Sequence, residues 1–300
     1  MFTGIMPALL TPFTPEGMIH RSTLRDLVEH FIELGMDGLY LCGSTGEGLL
    51  LSEAERSLVV ETAVDAVDGR VPVIVHVGDS STRAAQQLTR QARVLGADGV
   101  ASIPPFYYHF SGAEIAAFYR ALKETAGELP LYFYNIPDLI NSRLDVDLAR
   151  DLFEDGVIQG MKYTHHDMLT LQGIMEACGG GLNVFSGPDE KLLSFLVMGV
   201  DGGIGTTYNC MPELFLGIYQ AYRAGDLDRA RVLQQQANRV ISVMARFNMI
   251  PALKAVMAFQ GWEVGGPRGP FLPLSSGDRD RLRRGLEEVG FFSMKGEFDL

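Results

Sequence analysis

Lys162 is the residue in this chain best placed by type and setting to do chemistry. It follows Val157-Ile158-Gln159-Gly160-Met161, an apolar run that reads as a buried strand, and shares the chain with four other lysines, Lys123, Lys191, Lys254 and Lys295. Apolar surroundings disfavour an ammonium, lower its pKa and leave a nucleophilic lone pair. Such an amine attacks a carbonyl carbon and forms a Schiff base. A strand-end lysine that snorkels into water is the competing reading.

Other candidates gather at comparable points. Tyr134 ends the run Leu131-Tyr132-Phe133-Tyr134; a phenol near an amine relays protons during imine formation and carbon–carbon cleavage, or else packs as a core ring with its hydroxyl on backbone. Gly43-Ser44-Thr45-Gly46-Glu47 offers small residues and two hydroxyls before a helix, an anion nest of exposed N–H groups. It lacks the lysine of a phosphate loop, so a carboxylate suits it as well as a phosphate; a plain tight turn is the alternative. Cys42, beside it, reads as a buried, inert thiol. His76 and His165-His166-Asp167 raise a metal site, but adjacent side chains point apart and no third ligand stands at suitable spacing. No metal is expected.

These residues need elements to hold them. Leu34-Gly35-Met36-Asp37-Gly38, Leu95-Gly96-Ala97-Asp98-Gly99 and Met198-Gly199-Val200-Asp201-Gly202 repeat one phrase. The first glycine ends a helix in the left-handed conformation, and the Asp-Gly pair turns the chain into a strand. Strands are expected over Gly4–Leu10, Leu39–Cys42, Pro72–His76, Gly99–Ile103, Leu131–Tyr134, Val157–Lys162, Leu182–Phe185 and Gly202–Ile204. Helices are expected over Ser22–Leu34, Ser52–Val67 (with Ser52 and Glu55 as a capping box), Thr82–Leu95, Gly112–Thr125, Asp145–Phe153, Met168–Ala177, Glu190–Met198 and Glu213–Ala224. Eight strand–helix units predict a (β/α)8 barrel, whose chemistry collects where strands end. A doubly wound sheet competes, but no Gly-x-Gly-x-x-Gly turn follows the first strand. The pattern changes after residue 224. Residues 1–224 are read as the barrel and 225–300 as a helical extension packed on it, with helical stretches at Leu227–Phe247, Pro251–Phe259 and Arg279–Val289.

Composition removes several classes. A net charge of −12 opposes nucleic-acid binding, which needs clustered Lys and Arg. Three cysteines, Cys42, Cys178 and Cys210, form no disulfide framework and suit a reducing compartment. The first residues lack the basic start and apolar stretch of a signal peptide, and Gly, Pro or a charge interrupts each apolar run before it could span a membrane. A cytoplasmic protein is expected.

Read in order, the rim segments Leu10-Thr11-Pro12-Phe13, Gly43–Glu47, Tyr134-Asn135-Ile136-Pro137, Lys162 and Asp201-Gly202-Gly203-Ile204-Gly205 resemble the pyruvate-dependent Schiff-base aldolases of the N-acetylneuraminate lyase and dihydrodipicolinate synthase family, over nearly the whole chain. By this resemblance Lys162 forms the imine with a 2-keto acid, Ser44 and Thr45 hold its carboxylate, and Tyr134 transfers the proton. Tyr107 matches a tyrosine that in some members enters the neighbouring subunit's site. The resemblance implies a homotetramer built as a dimer of dimers, and no cofactor beyond the covalent imine.

Dihydrodipicolinate synthases usually carry an arginine two residues after the proline of Tyr-Asn-x-Pro. Leu139 stands there, and losing a bidentate carboxylate partner counts against that substrate. Phe106-Tyr107-Tyr108, Gly187-Pro188-Asp189-Glu190 and Gly205-Thr206-Thr207-Tyr208-Asn209 resemble the sialic acid lyases instead. There Gly187, Asp189, Glu190, Thr206 and Thr164 would bind the polyol tail. Helix N-terminal charge placement alone could account for Asp189 and Glu190. Thr206 replaces a usual serine, Pro188 an aromatic or aliphatic residue, and His165-His166 small residues. The expected activity is reversible cleavage of N-acetylneuraminate to pyruvate and N-acetylmannosamine, with a shorter 2-keto-3-deoxy sugar acid as the rival substrate and a non-catalytic ketoacid sensor as the rival class.

Overall fold

The computed structural model describes residues 1–140, 142 and 144–293. Residues 294–300, the end of the anticipated extension, lie outside the described residues. Strands β1 (Gly4–Pro7), β2 (Leu39–Leu41), β3 (Val73–His76), β4 (Gly99–Ser102), β5 (Leu131–Asn135), β6 (Gly160–Tyr163), β7 (Asn183–Ser186) and β8 (Gly202–Gly205) alternate with helices α1 (Arg21–Glu33), α2 (Glu53–Val67), α3 (Thr82–Val94), α4 (Gly112–Ala126), α5 (Val146–Glu154), α6 (Met168–Ala177), α7 (Leu192–Met198) and α8 (Pro212–Arg223). All strand pairings are parallel, in the order β1-β8-β7-β6-β5-β4-β3-β2. A parallel bridge from Ala8 to Tyr40 closes the ring. This is the (β/α)8 barrel that the alternation predicts.

Strand side chains alternate between two apolar layers. Ile5, Leu39, Leu41, Val75, Val100, Leu131, Phe133, Met161, Tyr163 and Val184 face the helices in one layer. Met6, Ala8, Tyr40, Ile74, Ala101, Tyr132, Tyr134, Phe185 and Ile204 form the second, inside the barrel. The repeated helix-to-strand phrase has a double function. Its first glycines, Gly35, Gly96 and Gly199, have φ of +83°, +90° and +97°. Its aspartates then accept N–H groups at the starts of strands: Asp37 from Ile5 at 2.7 Å, Asp98 from Val73 at 2.8 Å and Asp201 from Val184 at 2.7 Å. Donors that the parallel ladder leaves unpaired at the barrel floor are thereby satisfied.

The Ser52–Glu55 capping box is present, and a second at Ser111–Glu114 is one that the sequence reading passed over. Several boundaries move for local reasons. Val157 and Ile158 give their N–H groups to Leu152 and finish α5, so β6 starts at Gly160. Leu10 donates to the Asn209 side chain, which ends β1 early. Asp189–Lys191 is a 3₁₀ turn ahead of α7, where a helix from Glu190 was expected.

After α8 come α9 (Leu227–Met244), α10 (Met249–Phe259) and α11 (Ser276–Glu288). Val240, Met244, Leu253, Val256, Met257, Leu282 and Leu286 from these helices belong to the same apolar core as the barrel's outer layer. Among the described residues no single helix is long and apolar enough to cross a membrane.

Replacing Asp98 by Ala strands the Val73 N–H at the barrel floor, an expected loss of about 1–3 kcal/mol. Urea denaturation should show the lower stability while substrate half-saturation stays unchanged, because the aspartate lies at the end of the barrel opposite the strand C-termini.

Candidate active site

Lys162 sits near the C-terminal end of β6, in register with Tyr134 on β5 and Phe185 on β7. Inward-facing residues of adjacent parallel strands in register are neighbours, so lysine and tyrosine meet inside the mouth. The Nζ lies 4.4 Å from the Tyr134 ring centroid and 4.9 Å from that of Tyr40. Both ring faces attract the cation, and the residue is only 5% exposed. Tyr40 and Tyr134 meet edge to face at 6.1 Å. This holds the amine in one place without a carboxylate partner.

The floor beneath is polar in a controlled way. His76 lies edge-on to Tyr134 at 6.0 Å, and its Nε2 accepts the Ile103 N–H at 3.3 Å. Burial, the Arg56 guanidinium and Lys162 hold its pKa well below the ordinary histidine value, so the ring is neutral. Arg56, itself buried, donates to the carbonyls of His76 at 2.6 Å and Gly78 at 3.3 Å. Burial pushes the Cys42 thiol up to about 11, in keeping with an inert side chain. His76 stands at the end of β3, as its strand pattern predicts, whereas Tyr40 and Arg56 carried no signal taken up from the sequence; inward parity along β2 points to Tyr40.

Gly43–Glu47 leaves β2 as a tight turn between two left-handed residues, Cys42 (φ +57°) and Glu47 (φ +56°). Ser44 is exposed and Thr45 buried. The Thr45 hydroxyl lies 2.7 Å from that of Thr206 at the end of β8, and the Thr11 hydroxyl donates to Gly46 at 2.6 Å. Two of the anticipated binding hydroxyls thus touch across the mouth.

Thr206 also lines a cleft of about 210 Å3, together with Thr164, Gly187, Asp189, Glu190, Thr207 and the two histidines His165 and His166. The Thr164 hydroxyl is buried without a hydrogen-bond partner among the described residues. Gly187 makes room for it, since a Cβ there would lie 1.8 Å from the Thr164 oxygen. Asp189 accepts the Thr207 N–H at 2.7 Å and its hydroxyl at 2.6 Å. Burial nevertheless dominates and pushes its carboxyl up to about 6, against the pull of the Thr207 bonds. Helix N-terminal placement therefore does not account for Asp189. The Glu190 carboxylate stands 3.9 Å from His166 Nδ1. Among the described residues no group of His, Cys, Asp or Glu is arranged to hold a metal ion.

Tyr107 is the predicted residue that the chain does not bring into this site. It is 79% exposed on the loop after β4, with φ at +81°. Leu139 is also exposed and absent from the cleft lining, whereas Asp138 contributes to it.

The model of the dihydrodipicolinate synthetase family matches residues 1–289. The chain belongs to that family. It is an enzyme of the family's pyruvate-dependent class I aldolase and lyase kind. The chain is 38% identical to N-acetylneuraminate lyase of Rhizobium meliloti over 286 residues, 95% of each chain. The wild-type sialic acid aldolase of Ruminococcus gnavus superposes with a TM-score of 0.93 at 31% identity, covering 98% of this chain and 99% of the other. Dihydrodipicolinate synthase of Aquifex aeolicus superposes with a TM-score of 0.91 at 28% identity, covering 96% and 98%. The family fold is common to all three.

The Asp189 carboxyl yields a pH test. Its folded value near 6 lies above the ordinary 3.8, so between these pH values the folded chain binds more protons than the unfolded one. The group's contribution is full below about pH 4 and lost as pH rises through 6. An Asp189→Asn variant stays neutral throughout. Its stability relative to wild type should therefore improve by about 3 kcal/mol between pH 4 and pH 7, read by urea denaturation; a difference flat in pH would contradict this.

Proposed function

We propose that this enzyme is a class I lyase of N-acetylneuraminate type, reversibly cleaving the nine-carbon 2-keto sugar acid to pyruvate and N-acetylmannosamine. The observation that carries the reading is the meeting of one enclosed amine, Lys162, with an adjacent cleft lined by hydroxyls and carboxylates. Neutral, polyhydroxylated tails suit such a lining, since each hydroxyl both donates and accepts. Among the described residues no guanidinium lines the cleft for a second substrate carboxylate, which fits this substrate better than that of a dihydrodipicolinate synthase.

In the proposed reaction the Lys162 amine attacks the C2 carbonyl, and the carbinolamine loses water to give the iminium. Ser44 and Thr45 hold the C1 carboxylate. Tyr134 relays the proton of the C4 hydroxyl as the C3–C4 bond breaks, passing its own phenolic proton to the substrate carboxylate or solvent, while the bonding electrons pass into the iminium to form an enamine. The aldose leaves, C3 is protonated, and hydrolysis of the imine releases pyruvate. The iminium is the electron sink, so the chemistry calls on no separate cofactor. Thr164, Gly187, Asp189, Glu190 and Thr206 form the tail site. Tyr107, exposed in one subunit, would complete the site of a neighbour in a cytoplasmic homotetramer; that assembly is part of the proposal.

Borohydride with pyruvate should add one stable adduct at Lys162, and Lys162→Ala should abolish labelling and turnover. No adduct there removes the Schiff-base reading and favours a sensor. Pyruvate release from N-acetylneuraminate and from shorter 2-keto-3-deoxy acids then decides the substrate, and turnover of the shorter acids alone overturns the lyase assignment. Tyr134→Phe should lower kcat by roughly 10²–10⁴-fold while the borohydride adduct still forms.

A further inference from the structure

Lys254 is a second buried amine, and the proposed reaction does not use it. It stands alone as a charge within the apolar helix α10, Met249–Phe259, and its Nζ lies 2.8 Å from Glu47 Oε1. The two side chains are 2% and 0% exposed. Beside this ion pair, Nζ donates to the carbonyls of Thr11 at 3.0 Å and Gly266 at 2.9 Å. The Phe13 ring lies against it, its centroid 4.0 Å away. The other Glu47 oxygen takes the Arg268 N–H at 2.6 Å.

Glu47 is the last residue of the Gly43–Glu47 turn and holds a left-handed backbone that a non-glycine residue adopts only under constraint. Its neighbours in the turn carry the binding groups. Thr11, whose carbonyl Lys254 grips, fixes Gly46 through its own hydroxyl. The Glu47 carboxylate and, through Thr11, the Gly46 carbonyl are thus both tied to the ammonium. A buried ion pair is a poor source of net stability, because desolvation offsets its attraction, but it can fix one conformation over another.

We propose that Lys254 is a positioning residue for the ketoacid carboxylate: from the C-terminal helices it locks Glu47, and with it the turn that presents Ser44 and Thr45 to the substrate. This rests on the Schiff-base reading above. It makes the C-terminal extension part of the binding apparatus, acting on affinity for the 2-keto acid and leaving the imine chemistry at Lys162 alone. Desolvation lowers the Lys254 pKa to about 8 against the pull of Glu47, so the lock is held by a cation near neutral pH.

The test compares wild type with the double variant Glu47→Gln/Lys254→Met, which replaces the pair by neutral side chains of similar volume and avoids a stranded buried charge. The readouts are the pyruvate concentration for half-maximal borohydride labelling of Lys162, the labelling rate at saturating pyruvate, and the melting temperature. In the folded double variant the half-saturating pyruvate should rise about tenfold or more, with the saturating rate within about threefold of wild type. Should the double variant fail to fold, Glu47→Gln alone, which retains hydrogen-bonding capacity for Lys254 and Arg268, should show the same rise in smaller measure. Unchanged half-saturation in a folded variant would overturn the proposal, as would a loss confined to the saturating rate. Wild-type chain that pyruvate cannot label would instead overturn the Schiff-base reading, and this one with it.

Discussion

The Leu9 N–H donates to the Tyr40 carbonyl at 2.9 Å, and with that bond the last gap in the ring of strands is closed. The geometry of the site depends on this closure. An open sheet would leave β1 and β2 as edges and let Tyr40 swing away from Lys162. Closed, the barrel forces every second strand residue inward, and the interior has space only for tightly packed large side chains. Ile74, Tyr132, Phe185 and Ile204 fill it from within. The lysine amine is left at the mouth, between Tyr40 on one side and Tyr134 on the other.

Local patterns carried most of the fold. The Gly-x-Asp-Gly phrases, the capping box at Ser52 and the alternation of apolar runs are all short-range features. Each dictates its own turn or element, and the order of elements then admits few arrangements. What local patterns could not show is which backbone groups a distant side chain claims. Asp98 reads as a turn residue, yet its carboxylate serves Val73 on another strand. β1 and β6 are shorter than the apolar runs suggested because Asn209 and Leu152 compete for backbone donors. Such competition is settled between segments far apart in sequence, where periodicity is silent.

The candidate site divides along the same line. Lys162 and Tyr134 were legible because each closes an apolar run at a strand end, a position that dictates where its side chain must point. The proposed tail residues were singled out only through resemblance, since acids and threonines in loops have ordinary reasons to be there. Thr207 was missed as a partner of Asp189, although an acid and a hydroxyl pair so placed decide each other's orientation. Lys254 carried a signal that went unused: it is a lone charge in an otherwise apolar helix, and an isolated charge among buried neighbours requires a partner. The partner, Glu47, is more than two hundred residues away, and no pattern within α10 identifies it.

In the proposed lyase, chemistry and selectivity consequently rest on different parts of the molecule. The amine and the phenol project from adjacent strands whose register is set by backbone hydrogen bonds, so substitutions on the rim leave them in place. The tail cleft is assembled from the ends of β6, β7 and β8, where residues position one another: Gly187 gives way to Thr164, Asp189 is gripped by Thr207, and Thr206 touches Thr45. Exchanging one member disturbs its partner and, in the proposed reaction, would act on the substrate tail rather than on the amine of Lys162. Superposition of this chain on a sialic acid aldolase and on a dihydrodipicolinate synthase with nearly equal closeness, TM-scores of 0.93 and 0.91, is what this division leads one to expect. In the proposed lyase a shared barrel holds the lysine while the loops above it set what the lysine meets.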